Sequence, residues 1–326
     1  MRYIIYGAGA IGGAIGARLF QHSYDVILIA RGAHLQAIQQ RGLVVESPVE
    51  TVTLPIPAVG HPSEIRFRDG DVVFLCMKSQ HTLQALEDLR RTAGEGVPVI
   101  CCQNGIANER TALRRFERVY AMLVIVPATH LEPGVVQINA KGKSGILDAG
   151  VFPAGIDKLI EEVTAALEAS SFNARADPAT MRTKYTKLLN NLDNSLQAAC
   201  DASEAARDIS KLMHDEALAC YRAAGIDWLP MEEYRERYTP LLQIAMLHGE
   251  TRFGGSSWQS IARGTGSIEV DYLNGEIVQL GRLHGVPTPA NQVLQGLANE
   301  LAREGGKPGS VPLDEVRARI ERASRG

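Results

Sequence analysis

The sequence lacks the features that mark membrane proteins and nucleic-acid-binding proteins. No apolar run reaches the roughly 18 residues that a membrane-spanning helix needs, and we expect no membrane association. The 326 residues carry 34 Lys and Arg against 37 Asp and Glu, a net charge of −3. Because no basic run with interleaved aromatic residues occurs, we expect no nucleic-acid partner. With 45% hydrophobic residues, the chain has an ordinary globular composition and is long enough for two domains.

Cysteine is scarce and follows no metal-binding pattern. The five cysteines form an odd set without ligand spacing, so we expect no metal site: Cys76, Cys101, Cys102, Cys200 and Cys220. The first three lie in apolar runs and are expected to be buried thiols. The chain also begins directly on a strand rather than on a signal peptide. Together with the thiols, this predicts that the protein is located in a reducing cytoplasm.

The first 31 residues contain the succession strand, glycine turn, helix and strand. The apolar run Tyr3–Tyr6 has the length and composition of a buried strand, and Val26–Ile29 is a second such run. Between them, Gly7, Gly9 and Gly12 are spaced as Gly-x-Gly-x-x-Gly and precede apolar residues at helical spacing. Glycines alone would also fit a tight turn in any α/β protein. The flanking strands and helix favour the dinucleotide-binding fingerprint.

Each glycine of this turn has its own physical reason. Gly7 permits the tight turn, Gly9 lets a pyrophosphate approach the backbone, and Gly12 lets the helix pack closely on the strand. The pyrophosphate is expected at the start of the helix, at Ala10 and Ile11. Unpaired N–H groups and the helix dipole favour an anion there.

The end of the second strand indicates which dinucleotide is bound. An NAD enzyme usually has Asp or Glu there to bond the ribose 2′-hydroxyl. This chain has Arg31 instead, and the nearest acid, Asp25, lies at the wrong end of the strand. A guanidinium can bind a 2′-phosphate through a fork of donors. A solvated surface arginine is the alternative, but the missing acid favours NADP(H).

From Met1 to about Asn173 the pattern alternates between strand and helix. We predict strands at Asp71–Cys76, Val97–Cys102 and Val119–Val126, a helix at Gln80–Arg91 and an antiparallel edge within Gly134–Ala149. This alternation predicts an α/β fold, with an N-terminal Rossmann-type doubly wound parallel sheet and helices on both faces.

After about Ala174, long helical periodicities replace the strands. We predict helices at Pro178–Ala199, Ser203–Ala224, Met231–Leu247, Ser267–His284, Thr288–Arg303 and, beyond the linker Glu304–Pro312, Leu313–Ala323. The predicted domains are therefore 1–175, an NADP-binding Rossmann domain, and 176–326, an all-helical substrate-binding and catalytic domain.

Two polar side chains follow predicted strands at the edge where an open α/β sheet binds its ligand. Lys78 comes after the strand that ends at Cys76, and Asn104 comes after the one that ends at Cys102. Both are candidate cofactor-binding residues. The alternatives are an exposed lysine at the start of a loop and, since Gly105 follows, an ordinary Asn-Gly turn.

One face of the helix predicted at Pro178–Ala199 carries a polar stripe. Its members recur at intervals of three, four and three residues: Lys184, Lys187, Asn191 and Asn194. Spacing alone leaves a solvated face and the polar lining of a cavity equally open. Lys187 directly precedes two leucines, where a lysine needs a partner. Lys184 lies nearer the helix start, where we expect more solvent.

A third cluster combines Gly254–Trp258, which includes Ser257, with the acid Glu269. Ser267 is expected to cap the helix Ser267–His284, which places Glu269 in its first turn. An acid there is favoured by the helix dipole alone. Spacing therefore does not distinguish a helix-stabilising charge from a catalytic group.

These motifs, in this order and at these separations, resemble the ketopantoate reductase (2-dehydropantoate 2-reductase) family over nearly the whole chain. The matching pieces are Gly7–Gly12, Arg31, Met77–Lys78, Gln103–Gly105, Lys184–Asn191, Ser256–Trp258, Ile268–Gly275 and His284–Pro289. The resemblance implies a Rossmann domain, an all-helical second domain and reduction of ketopantoate to pantoate with NADPH.

The resemblance also implies roles for individual residues. Lys187 corresponds to the catalytic lysine of the family, and Glu269 to its essential glutamate. Lys78 and Asn104 match cofactor and substrate contacts, whereas Asn191 and Ser257 match groups that hold the substrate. Each of these implied roles is an expectation for this chain.

Two departures from the family pattern lie near the expected substrate. The family often has Asn-Pro-Leu-Thr where this chain has Asn194–Gln197, and the asparagine stands one residue nearer the lysine. Asn194 is still a predicted substrate contact. After Lys78 the family often shows an aromatic residue before a glutamine, whereas this chain has Ser79-Gln80-His81. These differences do not change the expected fold or cofactor. They concern the identity of the substrate, because both lie near the expected substrate site.

Three hypotheses follow from these observations. The first is an NADPH-dependent 2-oxo acid reductase of the ketopantoate type, in which Lys187 donates a proton and Glu269 holds the lysine. The second is the same chemistry on another 2-oxo acid, or an opine-type reductive condensation. The third is an NADP(H) sensor without catalysis, which retention of both residues disfavours. The oligomeric state is open, a homodimer being one alternative.

Overall fold

Strands dominate the first half of the chain and helices the second. The computed structural model describes residues 1–200, 204–245, 247, 255–262, 264 and 266–325. The strands are β1 (Arg2–Tyr6), β2 (Asp25–Ile29), β3 (Leu43–Glu46), β4 (Thr51–Leu54), β5 (Ala58–Val59), β6 (Asp71–Leu75), β7 (Val99–Cys101), β8 (Val119–Met122), β9 (Ala128–Thr129), β10 (Val135–Ile138), β11 (Ala140–Lys141), β12 (Ala149–Val151) and β13 (Gln243–Ile244). The helices are α1 (Ala10–Gln21), α2 (Gly32–Arg41), α3 (Thr82–Ala93), α4 (Asn108–Leu113), α5 (Lys158–Ala169), α6 (Thr180–Ala199), α7 (Arg207–Ala223), α8 (Met231–Tyr238), α9 (Ser256–Ala262), α10 (Asn274–His284), α11 (Pro289–Glu304) and α12 (Leu313–Ser324).

The chain divides into two compact units. The first comprises Met1–Asn104, Asn108–Thr183 and Pro230–Thr251, and the second comprises Gly105–Ala107, Lys184–Leu229 and Arg252–Gly326. The predicted domains, 1–175 and 176–326, have a single boundary before α6. In the structure, the chain enters the second unit after Thr183 and returns to the first at Pro230.

A seven-stranded sheet organises the first unit, in the order β5-β2-β1-β6-β7-β8-β12. Neighbours from β5 to β8 are parallel, and β12 joins β8 in the antiparallel sense. Tyr3 and Ile5 enter one hydrophobic core and Ile4 the other, because successive side chains point to opposite faces. Buried on both faces and mostly parallel, the sheet confirms the predicted α/β class.

The strand order reverses at β1, which has β2 on one side and β6 on the other. In an open α/β sheet, ligands bind outside the carboxyl ends of the strands at such a switch point. The topology thus places the ligand crevice where β1 ends, at Gly7.

A second sheet, of order β4-β3-β10-β9, was not predicted from the sequence. The β-type alternation within Gly134–Ala149 mostly belongs here, where β10 pairs in parallel with β3. Only β12 forms the expected antiparallel edge of the main sheet. Helix α1 packs so closely on β10 that a Cβ on Gly13 would lie 2.6 Å from Cγ2 of Val136.

Buried polar groups hold the helices of the second unit together. The carboxylate of Glu216 on α7 accepts hydrogen bonds from the backbone N–H groups of Ala290 (2.8 Å) and Asn291 (3.0 Å), and so caps the start of α11. The Asn291 side chain donates to the Met213 carbonyl at 3.0 Å and accepts from Asn274 at 3.1 Å. Asn274, the first residue of α10, is thereby tied to both helices.

Two predicted helices are shorter than the periodicity suggested. The helix predicted at Met231–Leu247 ends at Tyr238, and a 3₁₀ turn, Thr239–Leu241, and β13 follow. Pro240 explains the end, since proline lacks a donor and disfavours a helical residue before it. The helix predicted at Ser203–Ala224 begins as a 3₁₀ turn, Glu204–Ala206, before α7; Ser203 itself lies outside the described residues.

The helix predicted at Ser267–His284 is also wrong at its start. A 3₁₀ turn, Val270–Tyr272, comes first, and the backbone leaves helical geometry at Leu273 (φ −121°, ψ −90°) before α10 begins. The buried side chain of Asn274 sets this start through its bond to Asn291. Glu269 therefore precedes a short 3₁₀ turn and is not in the first turn of an α-helix.

None of the five cysteines, all within the described residues, is in a disulfide, and four are buried; Cys76 is only partly buried, against expectation. Within the described ranges, no helix is both long and apolar enough to cross a membrane. Across those same residues, no cluster of three or more His, Cys, Asp or Glu side chains could hold a metal ion.

Candidate active site

The glycine turn after β1 has the geometry that its spacing predicts. Gly7 has φ +101°, and a Cβ there would lie 2.7 Å from the Met77 nitrogen. A Cβ on Gly12 would collide with the Gly7 carbonyl oxygen. Around Gly9, by contrast, a Cβ would meet nothing within 4 Å. Two glycines are thus required by the protein itself, while the third faces open space.

That open space fits the pyrophosphate of a dinucleotide. Gly9 is the N-cap of α1 and offers no capping side chain to the first N–H groups, which include those of Ala10 and Ile11. The first turn of α1 contains no acidic residue that would repel an anion. The residues present therefore fit an anionic group of a bound dinucleotide.

Two cationic side chains, Arg31 and Lys78, and the histidine His81 lie close together in the first unit. Arg31 is exposed at the end of β2 and forms the N-cap of α2. The pKa of His81 is lowered by burial and by the charges of Arg31 and Lys78, which places the three groups close together. Burial raises the pKa of Tyr6 to about 12, and the nearby charge of Arg31 opposes this rise. The arrangement suits a ligand with more than one phosphate.

Lys78 and Asn104 combine structural and candidate functional features. Lys78 is partly buried and directly precedes a 3₁₀ turn, Ser79–His81, so it is not the fully exposed loop lysine of the alternative. Asn104 is also partly buried, and its carbonyl accepts a 3.4 Å bond from Asn108. Gly105 has φ +77°, which makes the Asn-Gly pair a turn as well.

The polar face of α6 is buried rather than solvated. Lys184 is only 4% exposed, and Lys187 retains partial exposure. The expectation that Lys184 meets more solvent because it lies nearer the helix start is therefore wrong. Burial is decided by what packs against the helix, not by distance from its end. Two lysines one turn apart both lie in a poorly solvated environment.

Lys187 has the most strongly perturbed environment on this face. Burial and the charge of Lys184 lower the pKa of Lys187 to about 7, while the charge of Glu269 acts to raise it. Glu269 is itself only 9% exposed. The fold thus brings a lysine and a glutamate from distant parts of the sequence together, with a lysine that exchanges its proton near neutral pH.

Asn191, Asn194 and Ser257, the predicted substrate contacts, belong to the same second unit as this pair. The amide nitrogen of Asn191 is buried without a hydrogen-bond partner among the described residues. The Asn194 amide oxygen lies so close to Gly255 that a Cβ there would collide with it. Ser257, in α9, is 2% exposed. Of the Gly254–Trp258 cluster, Gly254 and the Ser256 side chain lie outside the described residues.

Two histidines near the glycine turn were not singled out from the sequence. His81 lies near Arg31 and Lys78, whose charges favour its neutral form. His34, one helical turn after Arg31, forms a 2.7 Å hydrogen bond between its Nε2 and the carbonyl of Ala8. Its spacing from Arg31 was the only available signal, and helix α2 was not predicted.

The fold and these groups define a class of protein. A doubly wound sheet with a dinucleotide cradle, and a helical unit that carries a lysine–glutamate pair, are the parts of a nicotinamide-dependent oxidoreductase. The family model described as ketopantoate reductase PanE/ApbA matches residues 3–150, and its C-terminal counterpart matches residues 181–302. The chain belongs to the ketopantoate reductase family, and it is an enzyme of the 2-dehydropantoate 2-reductase type.

Individual relatives agree with this assignment. The chain is 28% identical over 316 residues to a 2-dehydropantoate 2-reductase of Pyrococcus horikoshii, covering 94% of this chain and 99% of the relative. The structure of a PanE/ApbA family ketopantoate reductase from Ralstonia eutropha JMP134 matches with a TM-score of 0.78 and 27% identity, over 94% of this chain and 99% of that one. A D-mandelate dehydrogenase bound to NADH and anilino(oxo)acetate shares the fold, with a TM-score of 0.81 at 24% identity; the match covers 94% of this chain and 99% of that one.

Proposed function

We propose that the protein reduces a 2-oxo acid to a 2-hydroxy acid with NADPH, and that its substrate is ketopantoate, as in pantothenate biosynthesis. The observation that carries the proposal is the lysine–glutamate pair. Lys187, with its pKa lowered to about 7, stands under the influence of Glu269 in a chain of this family. A proton donor is most effective when its pKa lies near the working pH.

The cofactor residues lie in the first unit. Gly7, Gly9 and Gly12 form the cradle, and the N–H groups of Ala10 and Ile11 hold the pyrophosphate. Arg31 supports NADP(H) over NAD(H), since it can bind a 2′-phosphate through two donors where an NAD enzyme has an acid. Lys78 adds a second cation. Asn104 contacts both cofactor and substrate in this proposal.

The chemistry divides between the cofactor and the side chains of the second unit. When bound, the nicotinamide supplies the hydride that reduces the ketone carbon. Lys187 gives a proton to the ketone oxygen as that oxygen gains negative charge. Glu269 keeps enough protonated lysine available, because its charge opposes the loss of the lysine proton. Burial strengthens each of these electrostatic effects.

In this proposal, the substrate is held by polar groups of the second unit. The buried, unpartnered amide nitrogen of Asn191 would donate a hydrogen bond to a substrate oxygen, which removes the cost of leaving it unpaired. Ser257 contributes a buried hydroxyl. Asn194 is the remaining proposed contact, and its position against Gly255 gives it a packing role as well.

A second candidate is reduction of a different 2-oxo acid. The departure at Asn194–Gln197 lies near the proposed substrate contacts, and a D-mandelate dehydrogenase has the same fold. An opine-type condensation, in which an amine joins the 2-oxo acid, is the third alternative. A sensor without catalysis is disfavoured because Lys187 and Glu269 are both present.

The deciding experiment measures NADPH and NADH oxidation with ketopantoate beside a panel of aliphatic and aryl 2-oxo acids, each with and without an added amine. The proposal expects ketopantoate to have the highest kcat/KM with NADPH. A higher value for an aryl 2-oxo acid would establish the second candidate. Amine-dependent turnover would establish the third, and no oxidation with any acid would leave the sensor.

The five cysteines, none of them in a disulfide, support a reducing cytoplasm as the site of action. A homodimer is the oligomeric state that we propose to test first, by light scattering on the purified chain.

A further inference from the structure

His34 occupies a junction within the first unit. Its Nε2 lies 2.7 Å from the carbonyl oxygen of Ala8, the residue between the first two glycines of the turn. Its Nδ1 accepts a 2.8 Å hydrogen bond from the backbone N–H of Gly134. One ring therefore joins three segments: helix α2, the glycine turn and the loop that leads into β10.

These two contacts determine the protonation state of the ring. Because Nδ1 accepts from an N–H group, it carries no proton, so Nε2 carries the proton and donates it to the Ala8 carbonyl. His34 is thus neutral, in a single tautomer. Burial and the neighbouring His130 lower its pKa, while the bond to Ala8 opposes this shift.

The surroundings of His34 hold α2 firmly on the 130–134 loop. The rings of His34 and His130 lie 4.0 Å apart at 47°. Arg41, at the end of α2, donates to the Pro133 carbonyl at 2.7 Å. Gly134 has φ +80°, and a Cβ on it would lie 2.8 Å from that of Ala37. Since α2 begins directly after Arg31, the same ring links the Arg31 end of α2 to the glycine turn.

We propose that His34 is a positioning residue for the dinucleotide: it keeps the glycine turn and the start of α2 at the spacing that the pyrophosphate and the 2′-phosphate require. This proposal rests on the proposed NADPH-dependent function. The hydrogen bonds and ring contact of His34 reach Ala8, Gly134 and His130, all in the first unit, whereas the proposed proton donor Lys187 belongs to the second. Loss of His34 should therefore change cofactor affinity much more than the rate of chemistry.

The same geometry has a consequence for pH. A second proton on His34 would occupy Nδ1 and replace the bond from Gly134 with a contact between two donors. The new charge would lie next to His130, whose charge already lowers the pKa of His34. Glu132 belongs to the same loop, Arg31 and Arg41 stand at the two ends of α2, and the glycine turn offers no titratable side chain. NADPH affinity should consequently fall as the pH drops below the usual histidine range.

The experiment compares three substitutions at one position. His34→Ala removes both hydrogen bonds, and His34→Asn retains an acceptor at the δ position but cannot reach Ala8. His34→Gln retains a donor at the ε position and has no proton to gain. The dissociation constant of NADPH is measured by fluorescence titration from about pH 5 to 8, with kcat at saturating NADPH and the melting temperature for each variant. His22→Ala serves as control, because His22 bonds the Arg18 carbonyl at the other end of α1.

We expect His34→Ala and His34→Asn to weaken NADPH binding roughly tenfold, the effect of about one buried hydrogen bond. His34→Gln should restore most of the affinity and lack the acid-side loss that wild type shows. Values of kcat should stay within about twofold, since the proton donor is unaffected.

Wild-type affinity in His34→Ala would overturn the inference. So would a loss that Gln does not rescue and that accompanies an equal fall in melting temperature, or an equal loss in His22→Ala. Failure of the proposed function would give a different result. Wild type would then bind neither NADPH nor NADH, and the inference would fail as well.

Discussion

The glycine turn of the first unit and the lysine-bearing face of α6 in the second owe their chemistry to different parts of the chain. The turn presents backbone N–H groups at a helix start, and two of its glycines are required by close contacts with the turn itself, with β1 and with Cys76 and Met77, which directly follow β6. The face of α6 presents side chains whose properties depend on burial and on Glu269. A binding site made from backbone follows from local spacing, whereas a proton donor depends on what the rest of the fold packs around it.

The largest expected effect tests the second unit. Lys187→Ala should lower kcat about 10²- to 10⁴-fold, the usual contribution of a general acid. NADPH binding should persist, because its proposed contacts lie in the first unit. Lys211→Ala is the matched control, since Lys211 is an exposed lysine paired with Asp215 on α7. Steady-state kinetics and NADPH titration on both variants provide the check. Loss of NADPH binding in Lys187→Ala would contradict the division between cofactor binding in the first unit and proton donation in the second.

Glu269→Gln should come next in size. Loss of the carboxylate removes the effect that raises the Lys187 pKa, so less lysine is protonated at neutral pH. We expect turnover to fall by about two orders of magnitude and the alkaline limb of the kcat profile for reduction to move to lower pH.

A merely structural Glu269 would give the opposite pair of results. Turnover would be normal, and the free energy of unfolding would fall by about 0.3–1 kcal/mol, as for a charge near a helix start. Denaturant unfolding and kinetics on one preparation of Glu269→Gln distinguish the two outcomes.

Arg31→Ala tests the first unit. Removal of charge-assisted hydrogen bonds to a 2′-phosphate should weaken NADPH binding by about 1–3 kcal/mol and leave NADH binding nearly unchanged. Arg114→Ala removes another exposed arginine and should change neither constant. If the wild-type enzyme uses NADH as readily as NADPH, the role assigned to Arg31 is wrong.

The smallest effect concerns Lys184. Its charge lowers the pKa of Lys187, so Lys184→Met should raise that pKa. Reduction requires protonated Lys187, and wild-type activity should therefore fall as the pH rises through about 7. In Lys184→Met this alkaline limb of the pH profile, the fall in activity with rising pH, should move to higher pH. At neutral pH, kcat should stay within several-fold of wild type. A limb that does not move would show that the two lysines are independent, and a loss as large as that of Lys187→Ala would show that both act in catalysis.

Sequence patterns located the helices and strands of the site more reliably than their ends. The start of α12 and the strands β1, β2, β6, β7 and β8 of the main sheet were predictable because apolar periodicity reports which face is buried. The break at Leu273 was not, because the buried bond from Asn274 to Asn291 determines where α10 begins. The second sheet was missed since its parallel pair, β3 and β10, lies far apart in the chain.

The sequence by itself determined the dinucleotide cradle, the α/β class and the membership of Lys184, Lys187 and Asn191 in one helix face. These properties depend on short-range spacing, which backbone geometry converts directly into position. Only the tertiary structure decided that Lys184 is buried, that Glu269 acts on Lys187 and that His34 supports the glycine turn. Burial and through-space charge arise from segments that meet only on folding, and spacing along the chain carries no measure of them.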